Sequence, residues 1–253
     1  MHWCLFVADF RSCESSMTDE TYTEAITEHG FAIIPAVSTP ETVAALLRGL
    51  ASVSSDPSVI RRKHSTYGIR NLLSVVPAIR ALADSDSIRS LAEPLLGADA
   101  FVMRGLFFDK TPETNWSVAW HQDLAIAVKR KIEVAGFGPW SVKAGVPHAL
   151  APAAVLEQML AIRIHLDDAD ETNGALRVFP GSHRFGRMSD EEIERREQTG
   201  TSITCAVSKG GVLALRPLLL HASHSSQHPA HRRVIHLEFA TGQLPEELEW
   251  HKA

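Results

Sequence analysis

Near residue 100 the hydrophobic pattern of this chain changes period. Before that point, apolar residues recur at helical spacing. Residues 18–29 place Tyr22, Ala25 and Ile26 on one face and stop at Gly30. Thr39-Pro40-Glu41 starts a second helix, with Thr39 as N-cap, Pro40 at the first helical position, and Val43, Leu46, Leu47 and Leu50 on its buried stripe. A third helix covers roughly 85–96 and ends at Gly97, and a strand at 31–34 lies between the first two. After residue 100 the apolar runs shorten and alternate. Residues 101–109, 117–123, 160–167, 175–179, 211–215, 218–223 and 232–239 read as strands, separated by turns such as Pro180-Gly181-Ser182 and Lys209-Gly210-Gly211. Helices first and strands afterwards point to an α+β fold or a mainly β sandwich with flanking helices rather than a βαβ sheet.

A chain of 253 residues is long enough for a sizeable core, and β-sandwiches of this size commonly form one domain. The expected organisation is a tail at 1–17, with Met17 as an alternative first residue, then a single domain over 18–253. A formal charge of -5 without a long Lys/Arg run leaves no electrostatic footprint for nucleic acid or an anionic membrane, so a small molecule is the expected partner. Cys4, Cys13 and Cys205 are too scattered for a disulfide framework or a zinc site, which fits a reducing, cytoplasmic setting. Nothing in the pattern sets an oligomeric state. One segment, about 125–159, interrupts the β rhythm with Gly136-Phe137-Gly138-Pro139-Trp140 and Gly145-Val146-Pro147-His148. It is expected as a long excursion, a packed lid with Trp140 as a plug over the substrate site, rather than a hairpin.

Trp120-His121-Gln122-Asp123 puts an imidazole and a carboxylate two residues apart at a strand end. On an alternating strand both point to one face, with backbones roughly 7 Å apart, near enough to chelate one ion. A third ligand must come from elsewhere, and His221, His224, His228, His231 and His236 crowd together. His221 is the best candidate because it is expected to close the strand Leu218-Leu219-Leu220-His221, whereas His224, His228 and His231 fall in a loop. Two imidazoles and one carboxylate on one face of an octahedron suit Fe(II) with open positions.

Residues 232–239 form a strand with unlike faces. Arg233, Ile235, Leu237 and Phe239 suit packing, while Arg232, Val234, His236 and Glu238 suit a polar cavity. The alternation therefore selects Arg232 as the cavity residue, and a guanidinium is a natural bidentate partner for the distal end of a dicarboxylate. In 160–167, Arg163 and His165 lie opposite the isoleucines. They either touch a co-substrate or an anionic substrate, or pair with acids such as Asp167 or Glu238.

Together these elements resemble the phytanoyl-CoA dioxygenase family of Fe(II)/2-oxoglutarate oxygenases. The resemblance is carried by His29-Gly30-Phe31-Ala32-Ile33-Ile34-Pro35, by Trp120-His121-Gln122-Asp123, by the run from Asn173-Gly174-Ala175 to Pro180-Gly181-Ser182-His183, and by His221 followed eleven residues later by Arg232. It implies a double-stranded β-helix (a cupin-like jelly roll), with His121, Asp123 and His221 on iron and Arg232 on the 2-oxoglutarate C5 carboxylate. It also implies a dioxygenase that consumes dioxygen, releases succinate and CO2, and hydroxylates a small or medium-sized substrate. Arg163 departs from the aromatic or neutral polar residue frequent at that place and is a candidate co-substrate contact; His165, His236 and Trp140 are candidate substrate contacts. The run ending in His183 reads first as a turn that fixes the fold. The same scaffold also admits a cupin-like metalloenzyme of another class, or a non-catalytic binding protein.

Overall fold

Thr39 takes an extended backbone and accepts a 3.2 Å hydrogen bond from the Thr42 N–H, so the helix over Pro40–Ser52 starts where its cap and proline dictate. The computed structural model describes residues 19–253 apart from 54–55 and 63–64; the expected tail at 1–17, with Cys4 and Cys13, lies outside the described residues. Helices α1 (Asp19–His29), α2 (Pro40–Ser52), α3 (Leu72–Val75), α4 (Pro77–Ala83) and α5 (Asp86–Leu96) fill the first part, with strands β1 (Phe31–Ile34), β2 (Val59–Arg62) and β3 (Ser65–Ile69) among them. Then come β4 (Phe101–Lys110), β5 (Val118–His121), β6 (Ala125–Ala127), β7 (Trp140–Lys143), β8 (Val146–Leu150), α6 (Ala153–Leu156), β9 (Met159–His165), β10 (Leu176–Val178), α7 (Asp190–Thr199), β11 (Ile203–Cys205), β12 (Val212–Leu215), β13 (His221–Ser223) and β14 (Arg232–Ala240).

The strands pair antiparallel into a seven-stranded sheet, order β1-β12-β9-β14-β4-β3-β2, and a four-stranded sheet, order β11-β10-β13-β5. Alternation decides what each face of the larger sheet meets. Ile162 and Ile164 of β9 and Ile235, Leu237 and Phe239 of β14 join Ile26, Leu46, Ile79 and Ile88 of the helices in one core. Each such side chain, fully buried, contributes roughly 1.5–3 kcal/mol. On the opposite face, Ala161, Leu213 and Leu215 meet Leu176, Val178 and Cys205 of the smaller sheet. Two antiparallel sheets closed face to face, with helices behind the larger, form the double-stranded β-helix. Inside it, β9 and β14 present buried Arg163, His165, Arg232, His236 and Glu238. Those polar positions break the apolar interior and mark the site.

Segment 125–159 is not the irregular excursion its glycines and prolines predict. β6, β8 and β7 form a third antiparallel sheet, packed over Ile126, Val128, Phe137 and Leu156 together with Leu218 and Trp250. β7 and β8 make a hairpin whose loop residues Ala144 (φ 50) and Gly145 (φ 80) are both left-handed. Such a two-residue turn matches strand twist, but its usual Asn-Gly or Asp-Gly signal is replaced by Ala-Gly, so the hairpin was hidden. Leu218–Leu220 also departs from expectation. These leucines lie in a buried turn closed by the Leu219 N–H to the Arg216 carbonyl (3.0 Å), and His221 opens strand β13 rather than closing one. Among the described residues no helix is long and apolar enough to cross a membrane.

Candidate active site

His121 ends β5 and His221 opens β13, and the two are direct partners across that antiparallel pair. Their rings lie 4.2 Å apart between centroids. Just past β5, the Asp123 N–H donates to the Pro217 carbonyl (2.9 Å), which fixes the backbone. Its carboxylate then sits between the imidazoles, Oδ1 at 3.8 Å from His121 Nε2 and Oδ2 at 3.6 Å from His221 Nε2. The three ligand atoms all lie within 4.8 Å of one another. Each Nδ1 lies 2.8 Å from a carbonyl two residues back, Ala119 for His121 and Leu219 for His221. A carbonyl only accepts, so Nδ1 carries the proton and Nε2 turns its lone pair to the shared centre. Gln122, between the ligands, points away: its Nε2 donates to the Gly186 and Leu218 carbonyls (2.8 and 2.7 Å) and its Oε1 accepts from the Met188 N–H (2.8 Å).

The electrostatics suit metal ligation. Burial disfavours the Asp123 carboxylate, but His221, His236, His121 and Arg104 outweigh it and hold its pKa at about 2. Burial pushes His221 down to about 4 despite Asp123. At neutral pH the pair is therefore anionic carboxylate and neutral imidazole.

The ligands line a cavity of about 580 Å³ that also holds Arg232, Arg163 and Lys110. All three cations are buried, and among the described residues none makes an ion pair. Arg232 sits opposite Lys110 in the β14–β4 register. Among the described residues the Nε atoms of Arg232 and Arg163 have no hydrogen-bond partner. Lys110 Nζ donates to Ser223 Oγ (3.2 Å) and to the His224 carbonyl. Burial, with repulsion from Arg232 and Arg163, lowers the Lys110 pKa to about 7. Arg233 faces the other way and forks onto Asp167, with Nε at 2.8 Å and Nη2 at 2.7 Å. The alternation thus assigned the two arginines to their observed faces. Lys110 is the residue that reading missed: the strand expected at 101–109 stops one short, and continuing the series Arg104, Leu106, Phe108 would have reached it.

A second buried network floors the cavity. Arg104 Nε donates to Glu238 Oε2 (2.9 Å) and Nη2 to Oε1 (2.5 Å). His236 lies 3.2 Å from Glu238 through Nε2 and 3.0 Å from Arg163 Nη1 through Nδ1. Arg163 therefore reaches a histidine rather than either acid, because Arg233 occupies Asp167 and Arg104 occupies Glu238. His236 lines the cavity; His165 and Trp140 are not among the residues that line it. His165 is buried with neither ring nitrogen partnered among the described residues, and burial plus Arg163 and Arg232 push its pKa well below the ordinary histidine range and keep it neutral. Trp140 packs against the cluster under the 125–159 sheet with Lys131 over its ring, while Lys143, His148 and Leu150 of the same hairpin reach the cavity. His183 lies outside it, against the Thr27 carbonyl (3.3 Å) beneath Gly30, as the turn reading expects.

Gly174 ties the Asn173-Gly174 turn to this site. Its φ is +79°, and a Cβ there would strike the His224 carbonyl and stand 2.9 Å from Lys110 Nζ. Gly174→Ala is expected to lower stability by about 2–3 kcal/mol, read as a lower urea midpoint at unchanged slope. A shift below about 0.5 kcal/mol would show that the turn relaxes freely.

The phytanoyl-CoA dioxygenase (PhyH) family model matches residues 26–234, most of the chain. The chain belongs to this family. Among its relatives is the ectoine dioxygenase of Bordetella bronchiseptica, 26% identical over 163 residues, which covers 61% of this chain and 46% of the relative. The chain thus spans about half the length of the curated relatives it matches. Among solved structures, AviO1 from Streptomyces viridochromogenes Tue57 superposes with a TM-score of 0.67 at 22% identity, covering 92% of this chain and 99% of that one. EctD from S. alaskensis with 2-oxoglutarate and 5-hydroxyectoine gives 0.68 at 17% identity, covering 91% and 78%. At such identities these PhyH-type neighbours establish the fold, and the chemistry must come from the residues.

Proposed function

We propose that the chain is an Fe(II)- and 2-oxoglutarate-dependent dioxygenase that hydroxylates a small or medium-sized organic substrate, consuming dioxygen and releasing succinate and CO2. One observation carries this reading: a His-Asp-His ligand set and two buried guanidinium groups, neither with a carboxylate partner among the described residues, open into the same cavity. The donor set fits iron, since two imidazoles and a carboxylate on one face leave other positions free. The cation set fits 2-oxoglutarate, since buried guanidiniums lacking carboxylates are costly until an anion meets them.

In this reading His121, Asp123 and His221 hold the metal, and Arg232, with Lys110 beside it, binds the distal carboxylate of 2-oxoglutarate. Iron and 2-oxoglutarate together supply the oxidation of a carbon–hydrogen bond by dioxygen. The chain's own part is positional. The Ala119 and Leu219 carbonyls hold both imidazoles in one tautomer. His236 spends both nitrogens on Glu238 and Arg163, so it orients Arg163 toward the co-substrate and presents mainly its ring to the substrate. Leu106 and Phe108 supply apolar wall, and the 125–159 segment, through Lys143, His148 and Leu150, covers the far side. An isomerase-type use of the same scaffold would employ the histidines but leave Arg232 without a role.

The test is anaerobic addition of 2-oxoglutarate to the Fe(II)-loaded protein, followed by admission of oxygen. A visible metal-to-ligand charge-transfer band, then Fe(II)-dependent CO2 release from 2-oxoglutarate, is expected. Iron binding with neither signal would reject the reading in favour of another metalloenzyme or a binding protein.

A further inference from the structure

We propose that the substrate carries an anionic group, a carboxylate or a phosphate, which docks between Arg70 and Lys143 at the mouth of the cavity. The proposal rests on the oxygenase reading and adds to it the class of molecule.

The cavity wall carries six cationic side chains, Arg70, Arg104, Lys110, Lys143, Arg163 and Arg232, against two carboxylates, Asp123 and Glu238. Both carboxylates are committed, Asp123 between the two histidines and Glu238 to Arg104 and His236. Bound Fe(II) and dianionic 2-oxoglutarate would cancel each other in charge and leave the excess of cations untouched. Location then separates the cations into two groups. β4 and β14 pair Lys110 with Arg232 at one end and Arg104 with Glu238 at the other. Six residues of strand separate those ends, roughly 20 Å. Lys110 and Arg232 lie at the co-substrate end. Lys143 lies toward the other, where Arg104 and Arg70 lower its pKa after burial, and where Glu238 and Asp123 are near enough to oppose them. His148 on the same wall adds no charge, since burial and Arg104 push its pKa to about 4.

Arg70 and Lys143 are held together by the backbone rather than by each other. The Asn71 side chain donates to the Ala144 carbonyl (3.0 Å), joining the residues that follow the two cations. Asn71 (φ 52) and Ala144 (φ 50) are both left-handed; asparagine takes this conformation readily, whereas at Ala144 it is imposed by the two-residue β7–β8 turn. Two like charges are thus brought to one rim, and among the described residues neither makes an ion pair. Such an arrangement repels itself until an anion bridges it. Elsewhere on the cavity wall Tyr67 and Trp116 meet edge to face at 5.7 Å, with Lys110 Nζ over the Trp116 ring at 5.8 Å, so the wall also offers aromatic surface to the body of a substrate.

Four probes of similar body and different charge test this: 3-phenylpropanoate, phenyl phosphate, 3-phenylpropanol and 3-phenylpropylamine. Binding is measured by calorimetry on the full chain, with and without Fe(II) and 2-oxoglutarate, so the answer does not depend on turnover. At least one anion is expected to bind about tenfold or more tightly than the alcohol and the amine. The stronger of the two anions identifies carboxylate or phosphate. In Arg70→Gln/Lys143→Gln the preference should fall below about threefold, and Lys143→Glu alone should favour the amine. Equal binding of all four probes, no anion binding below about 10 mM, or a preference that survives in the double variant would each overturn the proposal. The charge-transfer band of the loaded protein reports separately on the oxygenase reading. A protein with the band and no anion preference loses only this inference; one with the preference and no band loses only the reading beneath it.

Discussion

Tight Fe(II) binding is expected to disappear in His121→Ala, Asp123→Ala and His221→Ala, and to survive in His224→Ala. Each of the first three removes one of the three donors that, among the described residues, converge within 4.8 Å. Loss of a group that merely orients a ligand typically costs about 10–100-fold in metal affinity, so loss of a ligand should exceed about a hundredfold. Asp123→Ala has a further consequence, because it removes one of the two carboxylates that offset the cations of the cavity wall. His224 is the control: it lies outside the cavity, exposed, with Nε2 2.5 Å from Arg177 Nη1. Its affinity should change by less than about threefold, as for a surface substitution away from the site. Anaerobic Fe(II) titration of the four variants decides it. Full retention in His221→Ala, or equal loss in His224→Ala, would remove His221 from the metal.

Much of this site is legible in residue order because a β-strand's period is two. Once residues 160–167 and 232–239 are read as strands, Ile162 and Ile164 must face opposite Arg163, and Arg232 opposite Arg233, whatever the rest of the fold does. The structure keeps both alternations: the isoleucines pack on helices, while Arg163 and Arg232 line the cavity. Local signals fail where tertiary contacts decide. His221 was singled out for a strand end that does not exist; Leu218–Leu220 is a turn, and what fixes the ring is pairing with His121 a hundred residues away. A side chain's destination in the long 125–159 segment was equally unreadable. Trp140, the most conspicuous residue there, went to the local cluster, and Lys143, three residues on, went to the cavity. Which faces of β7 and β8 meet the barrel depends on how a hairpin with an Ala-Gly turn docks. Neither composition nor period carries that information.

Arg232→Leu and Arg233→Leu should separate by one to two orders of magnitude in 2-oxoglutarate affinity although the residues are adjacent. Arg232 is buried in the cavity with no carboxylate partner, so a dicarboxylate seated there would depend on its guanidinium. Removing one side of a buried charge pair leaves the other desolvated, a loss of roughly 2–3.5 kcal/mol, or tens to a few hundredfold in affinity. Lys110 bounds the effect from above, because it stands opposite Arg232 in the register and remains as a second cation. Arg232→Leu also removes one of the charges that draw the Lys110 pKa down to about 7, so in the variant Lys110 keeps its proton to higher pH and remains a second cation at neutrality. Arg233 points to the other face and holds Asp167 in a bidentate pair. Arg233→Leu should therefore change 2-oxoglutarate affinity by less than about threefold, while an unpaired, mostly buried Asp167 costs roughly 1–3 kcal/mol of stability. Affinity is read from the charge-transfer band under anaerobic Fe(II), and stability from urea midpoints on the same preparations. If the two variants bind 2-oxoglutarate alike, the anion does not sit at Arg232. The buried guanidinium of Arg163, hydrogen-bonded to His236, then becomes the group on which the distal carboxylate must rest.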